Sequence, residues 1–319
     1  MAEFDLIERF RQRAGQRADV ILGIGDDAAL LRVPPDALLV VSADTLVAGV
    51  HFPDDTAAAD IGWKALAVNL SDLAAMAAKP AWATLCLTLP QAHEDWVDAF
   101  LDGFLELAAQ HDVALVGGDT TRGPLSISVT VHGFAPAGQA LRRSGAKAGD
   151  DIWVTGTIGD AAGGLAQWQR QGLMSAKLRH RLDRPTPRNE AALAVRGLAH
   201  AAIDLSDGLA ADLGHMLRQS GVGADLDLGR LPTSRSLADH FPGEAERWTL
   251  QLTGGDDYEL CFTAAPADAL AIEQAFAALD LTATVVGQIS SALGLRLNTP
   301  EGEAFVLPQA GFEHFREPT

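Results

Sequence analysis

The sequence predicts a mixed α/β protein with two domains, and three observations support that fold class. The chain has 319 residues, roughly two average domain lengths. With 48% hydrophobic and 21% charged residues, it can bury a sizeable core. A segment rich in glycine, proline and arginine, residues 135–150, separates two halves in which strand-like and helix-like stretches alternate. The sequence therefore predicts domains at 1–140 and 141–319.

The first half is predicted to contain four strands and two helices. Runs rich in apolar and β-branched residues predict strands at 38–41, 82–89, 113–116 and 126–134. Apolar residues at helical spacing predict helices at 60–78 and 95–110, the first of them stopped by Lys79-Pro80.

The second half continues with the same two kinds of segment. Strands are predicted at 152–154, 224–228, 259–263 and 282–289. Helices are predicted at 159–169, from about 189, at 209–219 and at 266–279, with an arginine-rich stretch ending in Arg184-Pro-Thr-Pro187 before the second of them. These elements define an α/β C-terminal domain.

The charge balance excludes several functions. The 42 acidic residues against 24 Lys and Arg give a net charge of −18, which argues against binding to nucleic acid or to anionic membranes. No run approaches the roughly 18 apolar residues of a membrane helix, and the first ten residues are too charged for a signal peptide. We therefore expect a cytoplasmic protein. Cys86 and Cys261 lack metal-site spacing and are predicted to be buried core thiols.

One motif resembles a dinucleotide fingerprint but fails in context. Gly23-Ile-Gly-Asp-Asp-Ala28 fits G-x-G-x-x-A, and Asp44 lies about 20 residues further on. The fingerprint needs a crossover helix between them, and Pro34-Pro35 interrupts that segment. Asp26 and Asp27 would also face the pyrophosphate with negative charge. Nicotinamide and flavin binding are therefore not expected.

Six acidic turns are the most informative feature. Asp beside Gly, Ser or Thr is ordinary in a single turn, but here it recurs at Asp26-Asp27, Asp44, Asp72, Asp119, Asp204 with Asp207, and Asp256-Asp257. Carboxylates, hydroxyls and carbonyls are the ligands that Mg²⁺ or Ca²⁺ prefers. Asp72 lies inside a largely apolar predicted helix, where an inward-facing carboxylate needs a partner. The sequence therefore predicts several divalent cations.

The two halves echo each other in these turns. Asn69-Leu-Ser-Asp72 precedes Gly117-Gly-Asp119, and Asp204-Leu-Ser-Asp207 precedes Gly254-Gly-Asp256. Either gene duplication or similar metal-holding turns on unrelated backbones would produce this pattern.

Several divalent cations commonly accompany a polyphosphate, but no Walker A or protein-kinase motif is present. The basic segment 142–147 either assists phosphate binding or is a solvated loop. His51 is a base, a substrate contact or a turn residue, and His132 is predicted to be structural. No nucleophile–base pair is evident, so any catalysis is expected to be metal-assisted.

Together these motifs resemble the thiamine-monophosphate kinase family, in its order and over about residues 3–315. They are Gly23-Ile-Gly-Asp-Asp-Ala28, Ala43-Asp-Thr-Leu-Val-Ala-Gly49 with His51-Phe52, Ala67-Val-Asn-Leu-Ser-Asp-Leu-Ala-Ala-Met76, Gly117-Gly-Asp-Thr-Thr-Arg-Gly123, Arg143-Ser-Gly-Ala-Lys147, Ile203-Asp-Leu-Ser-Asp-Gly208 and Tyr258-Glu-Leu260. The resemblance implies the fold of the aminoimidazole ribonucleotide synthetase superfamily. It also implies a homodimer whose N-terminal sheets join into a barrel, with ATP and metal between the domains.

Site residues follow from the resemblance position by position. It implies as Mg²⁺ ligands Asp27, Ser42, Ala43, Asp44, Asp72, Asp119, Asp204 and Asp207. It implies as ATP contacts Gly118, Asp119, Arg143 and Ser206, and as substrate contacts His51, Asp256 and Phe312. Two positions depart from the family: Ala43 replaces Thr, so only its carbonyl could bind metal, and Asp256 replaces Glu, one methylene shorter.

The implied reaction is transfer of the γ-phosphoryl group of ATP to thiamine phosphate, with several Mg²⁺ ions. Two alternatives stay open. One is another ATP-using enzyme of the superfamily, acting on a formyl-amidine ribotide or on selenide, although residues 1–32 contain no cysteine for selenide chemistry. The other is a non-catalytic module that binds cations or nucleotides.

Overall fold

The computed structural model describes residues 3–307, which form two compact units. The first unit contains the residues up to Leu73 and Ala78–Gly138, and the second contains Ala74–Ala77 and the chain from Gln139 onward. The sequence prediction placed the division after residue 140 and did not foresee that 74–77 belong with the second unit. Ala74 and Ala77 share an apolar cluster there with Leu141.

The first unit is built on a four-stranded mixed sheet. Its helices are α1 (Glu3–Arg13), α2 (Ala58–Ala75) and α3 (Glu94–Gln110), and its strands are β1 (Val20–Leu22), β2 (Leu30–Leu31), β3 (Ala37–Val47), β4 (Lys79–Leu89), β5 (Ala114–Arg122) and β6 (Ser126–Pro136). The sheet has the order β3-β6-β4-β5, with β6 antiparallel to both neighbours and β4 parallel to β5. Strands β1 and β2 pair separately and antiparallel.

Helices α2 and α3 pack closely through two glycines. A Cβ on Gly62 would lie 1.9 Å from the carbonyl oxygen of Phe100, and a Cβ on Gly103 would lie 1.8 Å from that of Ala59. A larger residue at either position would therefore separate the helices. The contact helps to fix α2, and with it the side chains that α2 presents to β3.

Strands β3 and β5 run further than the sequence predicted. Strand β3 pairs residue for residue with β6 through Val47, so Ser42 and Asp44 lie inside the strand and not after its end at residue 41. Asp119 likewise lies within β5, whose predicted end was residue 116. Neighbouring strands supply hydrogen bonds whatever the side chain, so the ladder continues through polar residues that apolar patterning cannot recognise.

Helix α2 ends earlier than predicted, and for a different reason. The backbone of Ala77 has φ 48°, and Ala78 donates its N–H to the carbonyl of Leu73 at 2.9 Å. This left-handed C-terminal turn closes the helix. Lys79-Pro80, predicted as the helix stop, begins β4 instead, where Pro80 adjoins a bulge in the pairing with β6.

The second unit contains a six-stranded sheet and most of the helices. Its strands are β7 (Asp151–Thr155), β8 (Ala199–Asp204), β9 (Gly223–Asp227), β10 (Leu260–Ala264), β11 (Ala283–Ser290) and β12 (Gly294–Asn298). Its helices are α4 (Asp160–Gln171), α5 (Ala176–Asp183), α6 (Asn189–Ala194), α7 (Leu209–Ser220), α8 (Arg235–His240), α9 (Glu244–Thr253) and α10 (Ala269–Ala277). The sheet order is β12-β9-β11-β7-β10-β8, antiparallel except for the pair β9 and β12.

Both faces of this sheet are covered. Ile152 and Val154 of β7 belong to the apolar cluster that includes Leu213 and Met216 of α7. Trp153, between them, points to the other face and stacks on Phe262, with ring centroids 6.0 Å apart. Burial on both faces explains why residues 152–154 of β7 form a continuous apolar run.

Several sequence predictions need correction at the level of elements. Helix α1, the small strands β1 and β2, helices α5, α8 and α9, and strands β8 and β12 were not predicted. Cys86 is exposed, because it lies on the sheet face that also carries Ser128 and Asp119, whereas Cys261 is buried as expected. Among the described residues no helix has the length and apolar character needed to cross a membrane.

Candidate active site

Strand β3 and helix α2 bring three predicted metal ligands of the first unit together. The hydroxyl of Ser42 donates a hydrogen bond to Oδ2 of Asp72. Oδ1 of the buried Asn69 accepts the backbone N–H of Asp44 at 2.8 Å, and its Nδ2 donates to the carbonyl of Ala65 at 2.9 Å. Asn69 therefore joins α2 to the strand and holds Asp44 near Ser42 and Asp72.

A large cleft in the same unit contains two more predicted ligands. It has a volume of about 1160 Å³ and is bounded by α1, by the glycine-rich loop after β1, and by β4 and β5. Asp27 lines it from the loop, and Gly118 and Asp119 line it from β5. Gly118 has φ 144°, and a Cβ there would lie 1.8 Å from the carbonyl oxygen of Leu85, so only glycine fits.

These oxygen donors suit Mg²⁺. Within residues 3–307 no three Asp, Glu, His or Cys side chains converge closely enough to hold a metal ion by themselves. Mg²⁺ commonly takes one or two protein carboxylates and completes its shell with water and phosphate oxygens. The pair Ser42 and Asp72, with Asp44 beside it, is such a partial set. The residues therefore fit Mg²⁺ bound together with a polyphosphate. Ala43 lies between two of these donors in β3 and contributes only backbone.

His51 lies in a tight turn after β3. Its backbone N–H donates to the carbonyl of Val47 at 3.1 Å, and the N–H of Val47 donates to Nδ1 of the ring at 3.0 Å. The ammonium of Lys64 donates to the carbonyl of His51 at 3.1 Å. Lys64 has 0% exposure and was not singled out in the sequence. The sequence does carry a signal for Lys64, because it is a charged residue between apolar neighbours in α2. The same kind of signal identified Asp72.

In the second unit Asp204 is the last residue of β8, and the turn that follows holds Ser206 and Asp207. Oδ2 of Asp212, in α7, accepts the backbone N–H of Asp207 at 3.0 Å. Burial and the nearby carboxylates of Asp204 and Asp207 raise the pKa of Asp212 to about 8. This residue was also missed, because a buried aspartate in the first turn of a helix resembles ordinary helix-end chemistry.

The segment before β10 packs against that turn. Asp256 donates its N–H to the carbonyl of Ser206 at 2.9 Å, and Tyr258 donates its N–H to that of Leu205 at 2.8 Å. Asp256 and Tyr258 have φ 68° and φ 50°, and the Tyr258 hydroxyl donates to Oδ1 of Asp256 at 3.0 Å. Two non-glycine residues in the left-handed region indicate a segment whose shape is fixed by its surroundings.

Behind this segment is a buried ionic network that sequence reasoning did not foresee. The carboxylate of Glu259 accepts from Thr155 at 2.7 Å, from Arg181 at 2.8 Å and from Arg188 through two bonds of 2.6 Å. Both oxygens of Asp257 lie 2.9 Å from the N–H of Gly159, and complete burial raises the pKa of Asp257 well above its usual range. The arginine-rich stretch thus supplies two arginines, Arg181 and Arg188, that pair with a buried carboxylate.

The basic segment 142–147 has an ordered backbone. The Ser220 hydroxyl accepts the N–H groups of Gly145 and Ala146 at 3.1 and 3.2 Å and donates to the carbonyl of Arg143 at 3.3 Å. Lys147 contacts Nε2 of His200 at 3.0 Å. The side chain of Arg143 is exposed, while its backbone is held by the end of α7.

The structure therefore groups the predicted residues by unit. Asp27, Ser42, Ala43, Asp44, His51, Asp72, Gly118 and Asp119 belong to the first unit, and Arg143, Asp204, Ser206, Asp207 and Asp256 to the second. Phe312 lies outside the described residues. His132 of β6 is half-buried beside Trp82, with ring centroids 6.4 Å apart, and burial lowers its pKa.

Comparison with known proteins gives matches along nearly the whole chain. Residues 25–135 match the N-terminal domain of AIR synthase related proteins, and residues 147–298 match the C-terminal domain. The chain is 50% identical over 323 residues to the thiamine-monophosphate kinase of Escherichia coli K12, covering 99% of both.

Solved structures give the same picture. The thiamine-monophosphate kinase of Stenotrophomonas maltophilia is 54% identical, with a TM-score of 0.89 over 96% of this chain and 98% of that one. The structure of AaThiL complexed with AMPPCP and TMP is 28% identical, with a TM-score of 0.77 over 98% of this chain and 96% of that one.

Proposed function

The chain belongs to the thiamine-monophosphate kinase family of the AIR synthase related proteins, and we propose that it phosphorylates thiamine phosphate with ATP to give ADP and thiamine diphosphate. The observation that carries the proposal is 50% identity to such a kinase across 99% of both chains. The oxygen donors that Ser42, Asp44 and Asp72 bring together agree with it.

We assign the site residues as follows. The proposed Mg²⁺ ligands are Asp27, Ser42, the carbonyl of Ala43, Asp44, Asp72, Asp119, Asp204 and Asp207. The proposed ATP contacts are Gly118, Asp119, Arg143 and Ser206. The proposed substrate contacts are His51, Asp256 and Phe312. Gly118 and Asp119 both line the large cleft of the first unit, which supports their assignment as ATP contacts.

The chemistry asks mainly for positioning and charge neutralisation. A phosphate monoester has a second pKa of about 6, so the acceptor phosphate is largely dianionic near neutral pH and needs no strong base. When bound, Mg²⁺ would offset the repulsion between the two anionic substrates. Asn69 would keep Asp44 near Ser42 and Asp72, and Ser220 would hold the backbone of Arg143. We therefore propose direct in-line transfer without a phosphoenzyme.

The activity is tested by measuring ADP release with thiamine phosphate, thiamine and a formyl-amidine ribotide in parallel. We expect release only with thiamine phosphate, and only when Mg²⁺ is present. Release with the ribotide would favour another enzyme of the superfamily. Binding of ATP without its consumption would favour a binding module.

Direct transfer is tested separately with ATP that is chiral at the γ-phosphorus. A single in-line displacement inverts the configuration, whereas a phosphoenzyme route inverts it twice. Retention would therefore overturn the direct mechanism while leaving the substrate assignment in place.

We also propose that the enzyme is a homodimer joined through β3. This strand lies at the edge of its sheet, and Leu39, Val41 and Val47 are 45%, 53% and 36% exposed on one face. An apolar edge strand is a ready site for pairing with another chain. Light scattering should give twice the 33.5 kDa of one chain. Val41→Lys should reduce the dimer fraction, and Leu293→Lys, at an exposed leucine of the second unit, should not.

A further inference from the structure

Lys64 is an unusual residue for the interior of a protein. Its side chain is fully buried in α2, where Ile61, Ala65 and Leu66 around it are buried as well. An ammonium group loses its hydration on burial, so it is retained inside a protein only with hydrogen-bond partners. One partner of Lys64 is the backbone carbonyl of His51, at 3.1 Å from Nζ.

The same turn fixes the hydrogen of the His51 ring. Because a backbone N–H can only donate, the 3.0 Å contact between the N–H of Val47 and Nδ1 makes Nδ1 an acceptor. A neutral imidazole then carries its hydrogen on Nε2. The turn is closed further by the N–H of Gly49, which donates to the carbonyl of the buried Phe52 at 3.2 Å.

We propose that Lys64 is a positioning residue that holds the His51 turn, so that the neutral ring presents Nε2–H as a hydrogen-bond donor to thiamine phosphate. This inference rests on the proposed function for the identity of the ligand. His51 then recognises an acceptor atom, either a phosphate oxygen or a ring nitrogen of the pyrimidine. His51 does not act as a base, because the phosphate group of thiamine phosphate is already ionised near neutral pH.

The arrangement is tested first on the free protein by ¹⁵N NMR of the histidine rings, with His51→Gln used to assign the signals. We expect the hydrogen of His51 on Nε2 in the unmodified protein. Lys64→Met should give a mixture of the two tautomers, and Lys79→Met, at an exposed lysine of β4, should leave the signals unchanged. Hydrogen on Nδ1 in the unmodified protein would overturn the proposal, even if Lys64→Met does not fold.

The KM values of single and double variants test whether Lys64 acts on substrate binding by positioning His51. Lys64→Met and His51→Ala should each raise KM for thiamine phosphate about tenfold, with KM for ATP unchanged. The double variant should be no worse than His51→Ala alone, because the two residues act as one unit. Fully additive effects on KM would show that Lys64 acts elsewhere and would overturn the proposal.

Competitive inhibition by thiamine shows which atom accepts the hydrogen bond from His51, the phosphate oxygen or the ring nitrogen of the pyrimidine. If His51→Ala weakens the inhibition by thiamine as much as it weakens the binding of thiamine phosphate, the acceptor is a ring nitrogen. If only thiamine phosphate is affected, the acceptor is a phosphate oxygen. An unchanged affinity for both would refute the donor role. A protein without activity on thiamine phosphate would refute the proposed function, while the NMR result would still decide the arrangement of Lys64 and His51.

Discussion

At the scale of single residues, Asp212 has the clearest consequence for stability. Its pKa is about 8 in the folded protein against an ordinary value of 3.8, mainly because of burial. Between these two values the folded state keeps a proton that the unfolded state has released. The contribution of Asp212 to the free energy of unfolding therefore falls as pH rises through this window, by about 1 kcal/mol per pH unit.

We expect Asp212→Asn to remove this part of the pH dependence. The amide oxygen of Asn can still accept the N–H of Asp207, so the turn after β8 is kept. The measurement is urea unfolding from pH 4 to 8 in EDTA, with Asp239→Asn, at an exposed residue of α8, as the control. A slope equal to that of the unmodified protein would contradict the prediction.

Replacement by the neutral amide should destabilise the protein much more at Glu259 than at Asp257. Glu259→Gln leaves Arg181 and Arg188 facing a neutral amide in the interior, so we expect a loss of about 3–5 kcal/mol in the free energy of unfolding. Burial raises the pKa of Asp257 and favours its neutral form, so we expect Asp257→Asn to cost less than Glu259→Gln, about 1 kcal/mol. Denaturant unfolding near pH 7 measures the loss in free energy of unfolding for each variant. Equal losses would show that Asp257 is ionised.

At the scale of elements, α7 connects two parts of the proposed site. Its first turn carries Asp212, and Ser220 at its last turn holds the backbone of Arg143, Gly145 and Ala146 through one hydrogen bond to each. We expect Ser220→Ala to raise KM for ATP about tenfold, with a smaller effect on kcat, because the loop loses its support but keeps its side chains. Ser236→Ala in α8 is the matched control. An equal fall in kcat at unchanged KM would contradict a role in ATP binding.

The elements also show where sequence reasoning succeeds. Strand β4 was predicted at 82–89 and helix α3 at 95–110, because long apolar patterns specify both. Strand β8, Ala-His-Ala-Ala-Ile-Asp, was missed because three of its six residues are alanine, which carries little strand signal; its pairing with β10 makes it a strand.

The same limit applies to the candidate site. Asp44 and Asp72 could be predicted because carboxylates in apolar surroundings are conspicuous in a sequence. Asn69 and Ser220 could not, because their importance lies in hydrogen bonds to backbone groups 25 and 75 residues away. Side-chain chemistry is visible in a sequence, whereas the supports that position it depend on the fold.

At the scale of the whole molecule, the acidic turns carry a large share of the net charge of −18. The nine aspartates of the six acidic turns account for half of it. Neighbouring carboxylates repel one another, and cations that bind only the folded state stabilise it. The acidic composition therefore links folding stability to the same Mg²⁺ that the proposed reaction requires.

This link gives a test of the metal ligands. Asp44→Asn should abolish most turnover, yet in EDTA it should unfold no more easily than the unmodified protein, because it removes one repelling charge. Added Mg²⁺ should raise the melting temperature of the unmodified protein more than that of the variant. Glu301→Gln, at an exposed residue outside the acidic turns, should match the unmodified protein. A sharp loss of stability of Asp44→Asn in EDTA would instead make Asp44 a structural residue, and the metal assignment of β3 would lose its support.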